Sequence, residues 1–368
     1  MATSGDIVRL LTDLDALAGV SGYESRVGDR LERELAPWVD DHRRDALGNR
    51  FFVKRGIDPD FRVMLSAHMD EIGLIVSYID EAGFVYAVPA GLLDFRYLPG
   101  RDYLIQTETG PVPAISGTMS VHLLDEKTMA VPSTADDLYF DLGCRSRREV
   151  EALGVKVGDS ISFDRAGRVL GGRLFSGKAM DNRVGCAVLV ETMRRLSQTR
   201  ILPTVYAVGT VQEELGIRGA GPAAASVAPR VAVAVDIIFA GGTPDIPERK
   251  LPIKLGAGPA IKFHDWSPGN AFVGNTVPRY MTDRLVAAAE RIGIPYQREV
   301  VLNGGTDAWA ISMSGTGVLT GCVSIPCRYV HSTVGCVDLE DVENSIRLIV
   351  AFMEGLDAEY GRMDDYQI

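Results

Sequence analysis

Two different spacings of apolar residues divide the chain. Between Glu24 and Val39, Val27, Leu31, Leu35 and Trp38 recur at helical spacing behind Ser21 and Gly22, which predicts an amphipathic helix. Phe61–Leu65 is a short apolar run with the character of a buried strand, and it leads straight into Ser66-Ala67-His68-Met69-Asp70. From Ile72 to Gly171 the texture changes. Short β-like runs (GLIVSYI, GFVYAV, YLIQT, DSISFD) alternate with turn signals, among them Pro89, Pro99, Pro111 and Pro113, and Ser146–Leu153 is the one helical stretch. After Gly171-Gly172 strands and helices alternate again. Asn182–Ser197, Arg279–Ile292 and Asp338–Leu356 read as helices, Thr204–Val211 and Val231–Ile238 as buried strands. Asp338 can cap the last helix, and Asp341 falls in its first turn, where the dipole favours negative charge.

Near-continuous apolar strands separated by helices predict an α/β fold with a mostly parallel mixed sheet flanked by helices. The β-rich stretch reads as a small barrel-like domain inserted into it. The boundaries expected are residues 1–71 and 172–368 for the two parts of the catalytic domain and 72–171 for the insert.

Composition narrows the function. At 368 residues and 46% hydrophobic the chain can bury a large core, and its length suggests two domains. A net charge of −11 disfavours nucleic acid and anionic lipid as partners. The segment Met1–Leu17 carries Asp6, Asp13 and Asp15 and lacks the basic start and uncharged apolar run of a secretory signal. No stretch reaches the ~18 apolar residues of a membrane helix. A cytoplasmic protein is expected. The five cysteines (Cys144, Cys186, Cys322, Cys327, Cys336) are too few and too irregular for a disulfide framework, and read as reduced, buried thiols.

Candidate chemistry starts from the five histidines. His68 follows an apolar run in AHMDE, and His331 lies in YVHST. Acids stand at comparable places. Asp181 opens a helix, Glu213 and Glu214 end the TVYAVGTV run, and Asp236 interrupts VAVAVDII, where a carboxylate is costly unless paired or bound to metal. Each has a structural reading, as helix cap or solvated strand end. Together, two histidines and three carboxylates can hold two divalent ions if one carboxylate bridges them. Two dications bring +4, three carboxylates −3, and a bridging hydroxide completes neutrality, which favours an ionised water, the nucleophile of a hydrolase. Neighbours on an extended chain point opposite ways, so one of Glu213 and Glu214 is expected to be a ligand and the other a general base. Asp70, two residues after His68, suits a carboxylate that orients the ring.

The blocks SAHMDEIGLIV (66–76), SGKAMDNRVG (176–185), VQEELGIRGA (211–220), VAVDI (233–237), GGTDA (304–308) and SIPCRYVHST (324–333) resemble, in order, those of the glutamyl and tetrahedral aminopeptidase family of dinuclear metallopeptidases. The resemblance implies that Asp181 bridges, that His68 and Asp236 bind one ion, and that Glu214 and His331 bind the other. It also implies Glu213 as general base, Asp70 as the acid behind His68, a zinc-peptidase-like sheet with the β insert, and assembly into homo-oligomers, commonly dodecamers. The implied activity is removal of N-terminal residues from short peptides. Zinc is the expected metal, with cobalt and manganese also suited to nitrogen and oxygen ligands. In GGTDA, Thr306 or Asp307 reads either as a helix cap or as part of the substrate pocket beside Gly304 and Gly305. The stretch 238–260 departs from the family pattern, so no side-chain preference carries over. An N-acyl amino acid deacylase using the same centre is the alternative. An endoglucanase fits poorly, since adjacent Glu213-Glu214 do not face one another across a sugar. A non-catalytic module would not need the whole residue set.

Overall fold

The computed structural model describes residues 4–126, 131–267, 273–358 and 360. Their strands form two sheets. The larger has twelve strands, and at its centre four parallel strands lie in the order Pro203–Thr210, Asp58–His68, Val231–Phe239, Leu319–Arg328. Side chains alternate between its two faces, and both faces are covered. Val63, Leu65, Ala67, Val205 and Ala207 join one buried cluster with the helices Ser4–Asp15, Ser25–Leu35, Met180–Leu196 and Leu339–Glu354. Met64 and Val208 join another, with Ala220–Val227 and Asp307–Ser312. Burial on both sides is why these strands read as unbroken apolar runs. Each buried Val or Leu contributes roughly 1.5–3 kcal/mol, against about 0.5–1.5 for a typical net hydrogen bond. The rigidity of the frame therefore comes mainly from this core.

Antiparallel strands extend the parallel centre on both sides. A branch of Ala260–Ser267, Val273–Thr276 and Gln297–Leu302 leaves Leu319–Arg328. The smaller sheet has six antiparallel strands in the order Gly110–Ser116, Arg101–Thr107, Ser160–Phe163, Gly73–Ile79, Val85–Ala90, Tyr139–Phe140. A bridge between Ile115 and Asp141 brings its two edges together, so it is nearly a closed barrel. It has its own core, including Leu74, Ile105, Phe140 and Ile161.

Local differences from the sequence reading have physical causes. The helix expected over 24–39 is α-helical only over Ser25–Leu35, because Pro37 turns its end into a short 3₁₀ helix and leaves Trp38 exposed. The strand Gly110–Ser116 was not expected from a segment containing Pro111 and Pro113. It is an edge strand, where a missing N–H costs little. Asp338 caps the last helix by accepting from the Glu340 N–H at 2.9 Å. Asp341 does more than meet the dipole, since it accepts from the N–H groups of Gly256 and Gly258, both at 2.7 Å. All five cysteines are free thiols, four of them buried. No helix of the described residues is long and apolar enough to cross a membrane.

Candidate metal centre

The central strands deliver their chemistry at one end, the carboxyl end, where open α/β sheets place their sites. His68 is the last residue of Asp58–His68, Glu213 and Glu214 follow Pro203–Thr210, and His331 follows Leu319–Arg328. Asp236 sits two-thirds along Val231–Phe239, paired with Ser324 of the neighbouring strand. Asp181 lies in the kinked first turn of Met180–Leu196, which Asn182 fixes. The Asn182 carboxamide accepts from the Gly185 N–H at 2.9 Å and donates to the Val235 carbonyl at 2.8 Å, while Asp181 and Asn182 have non-helical backbone. Asp181 is thereby held at the helix mouth beside Asp236.

The five side chains converge. His68 Nε2 lies 3.0 Å from Asp181 Oδ1 and 3.7 Å from Asp236 Oδ1. His331 Nε2 lies 3.4 Å from Asp181 Oδ2 and 3.4 Å from Glu214 Oε2. These form two triads, His68–Asp181–Asp236 and Asp181–Glu214–His331, with the ligand atoms of each within 4.8 Å of one another. Asp181 belongs to both and turns one oxygen to each. Glu213 belongs to neither. The reason expected for separating Glu213 from Glu214, alternation along a strand, does not apply. The strand stops at Thr210, and Gln212 takes a left-handed φ of 54°. That turn, with the Glu213 and Glu214 N–H groups both donating to Asp70 at 3.0 and 3.1 Å, sets the two side chains.

Asp70 holds more than the ring. One of its oxygens is 3.3 Å from His68 Nδ1, and it also accepts from Ser21 Oγ at 2.5 Å. A neighbouring buried network fixes the backbone around it. Glu71 accepts from Lys178 Nζ at 2.5 Å and from the Gly19 N–H at 2.9 Å, with Arg183 at 3.4 Å, and Asp15 accepts from the Ala179 N–H at 2.9 Å. Sequence reasoning passed over Asp15, Glu71, Lys178 and Arg183. For Glu71, Lys178 and Arg183 the available signal was charge embedded in two of the six blocks, close to Asp70 and Asp181; Asp15 lies outside them. In GGTDA the cap falls to Thr306. Thr306 caps Asp307–Ser312 by accepting from the Ala308 N–H at 3.3 Å, while Asp307 accepts from Thr210 Oγ1 at 2.6 Å. Its other oxygen is buried without a hydrogen-bond partner. The 238–260 stretch folds back on the sheet, its Gly241 and Gly242 carbonyls accepting from Arg328, each at 3.2 Å.

The electrostatics fit a cation-binding site. Burial pushes Glu214 up to about 8, partly offset by His331. Burial likewise raises Glu213 well above the usual carboxylate range, with Asp236, Glu214 and Asp307 adding to it against the pull of His68. It raises Asp307 to about 7 and Asp236 less. For the histidines burial acts downward, but Glu214 and Asp181 outweigh it and bring His331 up to about 10. Asp181, Asp236 and Asp70 likewise hold His68 well above its ordinary value. Burial thus favours the protonated forms of Glu213, Glu214 and Asp236 in the metal-free site, whereas at Asp181 the two histidines outweigh burial and hold the carboxyl well below its usual range. Two imidazoles and three carboxylates in overlapping triads, with Glu214 Oε1 buried and unpartnered, are a donor set for two small dications.

The chain is similar to known proteins over most of its length. The family model described as M42 glutamyl aminopeptidase matches residues 48–348. A lysyl aminopeptidase of Pyrococcus furiosus is 33% identical over 92% of this chain and 94% of its own. The structure of an aminopeptidase from the archaeon Desulfurococcus kamchatkensis superposes with a TM-score of 0.92, at 34% identity over 98% of this chain and 97% of that one. The Pyrococcus horikoshii TET1 peptidase, described as assembling into a tetrahedron or a large octahedral shell, gives a TM-score of 0.84. It is 31% identical over 95% of this chain and all of its own.

Proposed function

From the premise that the chain belongs to the M42 glutamyl aminopeptidase family, we propose that it removes N-terminal residues from short peptides using two divalent ions, with Glu213 as general base. The observation that carries this reading is the double-faced Asp181, shared by the two triads. His68 and Asp236 would hold one ion, Glu214 and His331 the other, and Asp181 both. Nitrogen and oxygen donors suit zinc, and also cobalt or manganese. Ions bound there supply Lewis-acid polarisation of the scissile carbonyl and make a water molecule acidic.

The chain's own residues do the rest. Glu213, outside both triads and raised in proton affinity by its surroundings, takes the proton of the attacking water. It returns that proton to the nitrogen of the breaking C–N bond, so that a free amine leaves. Asp70 keeps the proton of His68 on Nδ1 and leaves Nε2 to coordinate. Self-association belongs to the same reading, by analogy with the TET1 peptidase. The family's name and the Pyrococcus furiosus relative point to acidic and basic N-terminal residues respectively, so the substrates to compare include both.

A panel of aminoacyl anilides, their N-acetylated counterparts and cellulose oligomers, each with and without chelator, tests the activity. Cleavage of the free-amine substrates alone, abolished by chelator and restored by metal, is expected. Faster turnover of the N-acetylated set would make the enzyme a deacylase instead.

Metal binding should also depend on pH. His331 and Glu214 hold protons in the metal-free site up to about 10 and about 8, and a protonated ligand cannot coordinate. Each ion must displace protons, so affinity falls as pH is lowered from 8 to 6. Calorimetry in buffers of different ionisation enthalpy should register proton release on zinc uptake. Uptake without release would contradict the assigned ligands.

A further inference from the structure

The two histidines are oriented from different places. His68 finds its partner two residues along its own chain, in Asp70. His331 finds its partners in a connection between two strands of the six-stranded sheet. Its Nδ1 lies 2.9 Å from the Leu92 carbonyl, and its own carbonyl accepts from the Tyr97 hydroxyl. Both contacts come from residues 91–100, which join the strands Val85–Ala90 and Arg101–Thr107 of the insert.

That segment is built to hold still. Leu93 and Leu98 are buried in the barrel core. Tyr103 Oη donates to the Leu98 carbonyl at 2.7 Å, and Arg101 Nε donates to the Tyr97 carbonyl at 2.8 Å. Asp94 caps the short 3₁₀ turn Phe95–Tyr97 by accepting from the Arg96 N–H at 3.0 Å. Leu92 is 76% exposed, and it is its backbone carbonyl that makes the contact. On the other side, the receiving loop needs holding. Tyr329 and His331 both take left-handed φ values, 59° and 55°, that residues with a Cβ adopt only at some cost.

We infer that the inserted domain positions the second ion's histidine. The Leu92 carbonyl fixes the proton on Nδ1 and so presents Nε2, while the Tyr97 hydroxyl pins the left-handed turn at His331. Tyr97 is on this view a positioning residue for one ion and not for the other. The inference rests on the dinuclear reading above and deepens it. Outer partners of this kind typically contribute 10–100-fold to metal affinity. The barrel is then a structural part of the metal site, and its seating on the larger domain governs how tightly the Glu214–His331 side is loaded.

The test is zinc titration of chelator-stripped protein against a chromophoric competitor. Wild type is expected to take two ions with resolvable affinities. Tyr97→Phe, which keeps the ring and loses the hydroxyl, should bind one ion unchanged and the other about 10–100-fold more weakly. A merely structural defect would weaken both together. Equal, wild-type-like affinity for both ions, or matched weakening of both, overturns the inference alone. Fewer than two ions on the wild type overturns the dinuclear reading and this inference with it. Should Tyr97→Phe not fold, Arg101→Ala frees the Tyr97 carbonyl from an exposed position. It should give the same split at smaller size, and no split would be equally decisive against the inference.

Discussion

Replacing Glu213 with glutamine is expected to cut turnover by about 10²–10⁴-fold while leaving metal content unchanged. Glutamine keeps the size and polarity of the side chain and loses only its ability to take a proton. Glu213 stands outside both triads, so no ligand is removed. Its N–H still donates to Asp70, so the turn that also places Glu214 survives. The loss corresponds to about 3–5 kcal/mol of barrier, and it should fall on kcat, with KM little moved. Steady-state rates on an aminoacyl anilide, beside elemental analysis of the same preparation, decide the matter. Rates near wild type would remove Glu213 from the role of base. A parallel loss of metal would make it a ligand.

Asp181→Ala should have the broadest effect on metal. Its two oxygens face different histidines, at 3.0 Å from His68 and 3.4 Å from His331. Removing it takes an anionic donor from both triads at once, and the ions lose the charge that lies between them. Metal content is expected to drop from two ions per chain to less than one, with activity following. Asp236→Ala and Glu214→Ala each break one triad and should each retain about one ion. If Asp181→Ala kept two ions, or behaved like the single-triad variants, the bridging role would be wrong. Elemental analysis of the three variants after identical dialysis makes the comparison.

What could be read from the sequence, and what could not, follows from which signals survive without three dimensions. The parallel centre was legible because strands buried on both faces must be almost wholly apolar, as Val231–Phe239 is but for Asp236. The helix Arg279–Ile292 was legible to the residue, since Gly293 stops it in a left-handed conformation. Gly110–Ser116 was not, because an edge strand tolerates prolines that normally argue against strand. The five side chains now seen together were named from carboxylates and histidines in unusually apolar or strand-end contexts. Their assignment to separate ions, and the choice between Glu213 and Glu214, came from the family resemblance. The left-handed Gln212 that turns the chain just ahead of the two glutamates leaves no mark in side-chain pattern. Nor does the contact of Leu92 with His331, which is made by a carbonyl that every residue has. Asp307 shows the remaining limit. Its motif admitted a cap or a pocket residue, and the structure gives the cap to Thr306 and turns Asp307 onto Thr210.

The central claim is that side chains scattered from His68 to His331 hold two cations astride Asp181. Anomalous diffraction from crystals grown with zinc, measured on either side of the zinc absorption edge, tests it most directly. Two peaks a few ångströms apart are predicted, one beside His68 and Asp236, the other beside Glu214 and His331, with an Asp181 oxygen on each. A single peak, or peaks placed away from Asp181, would contradict it.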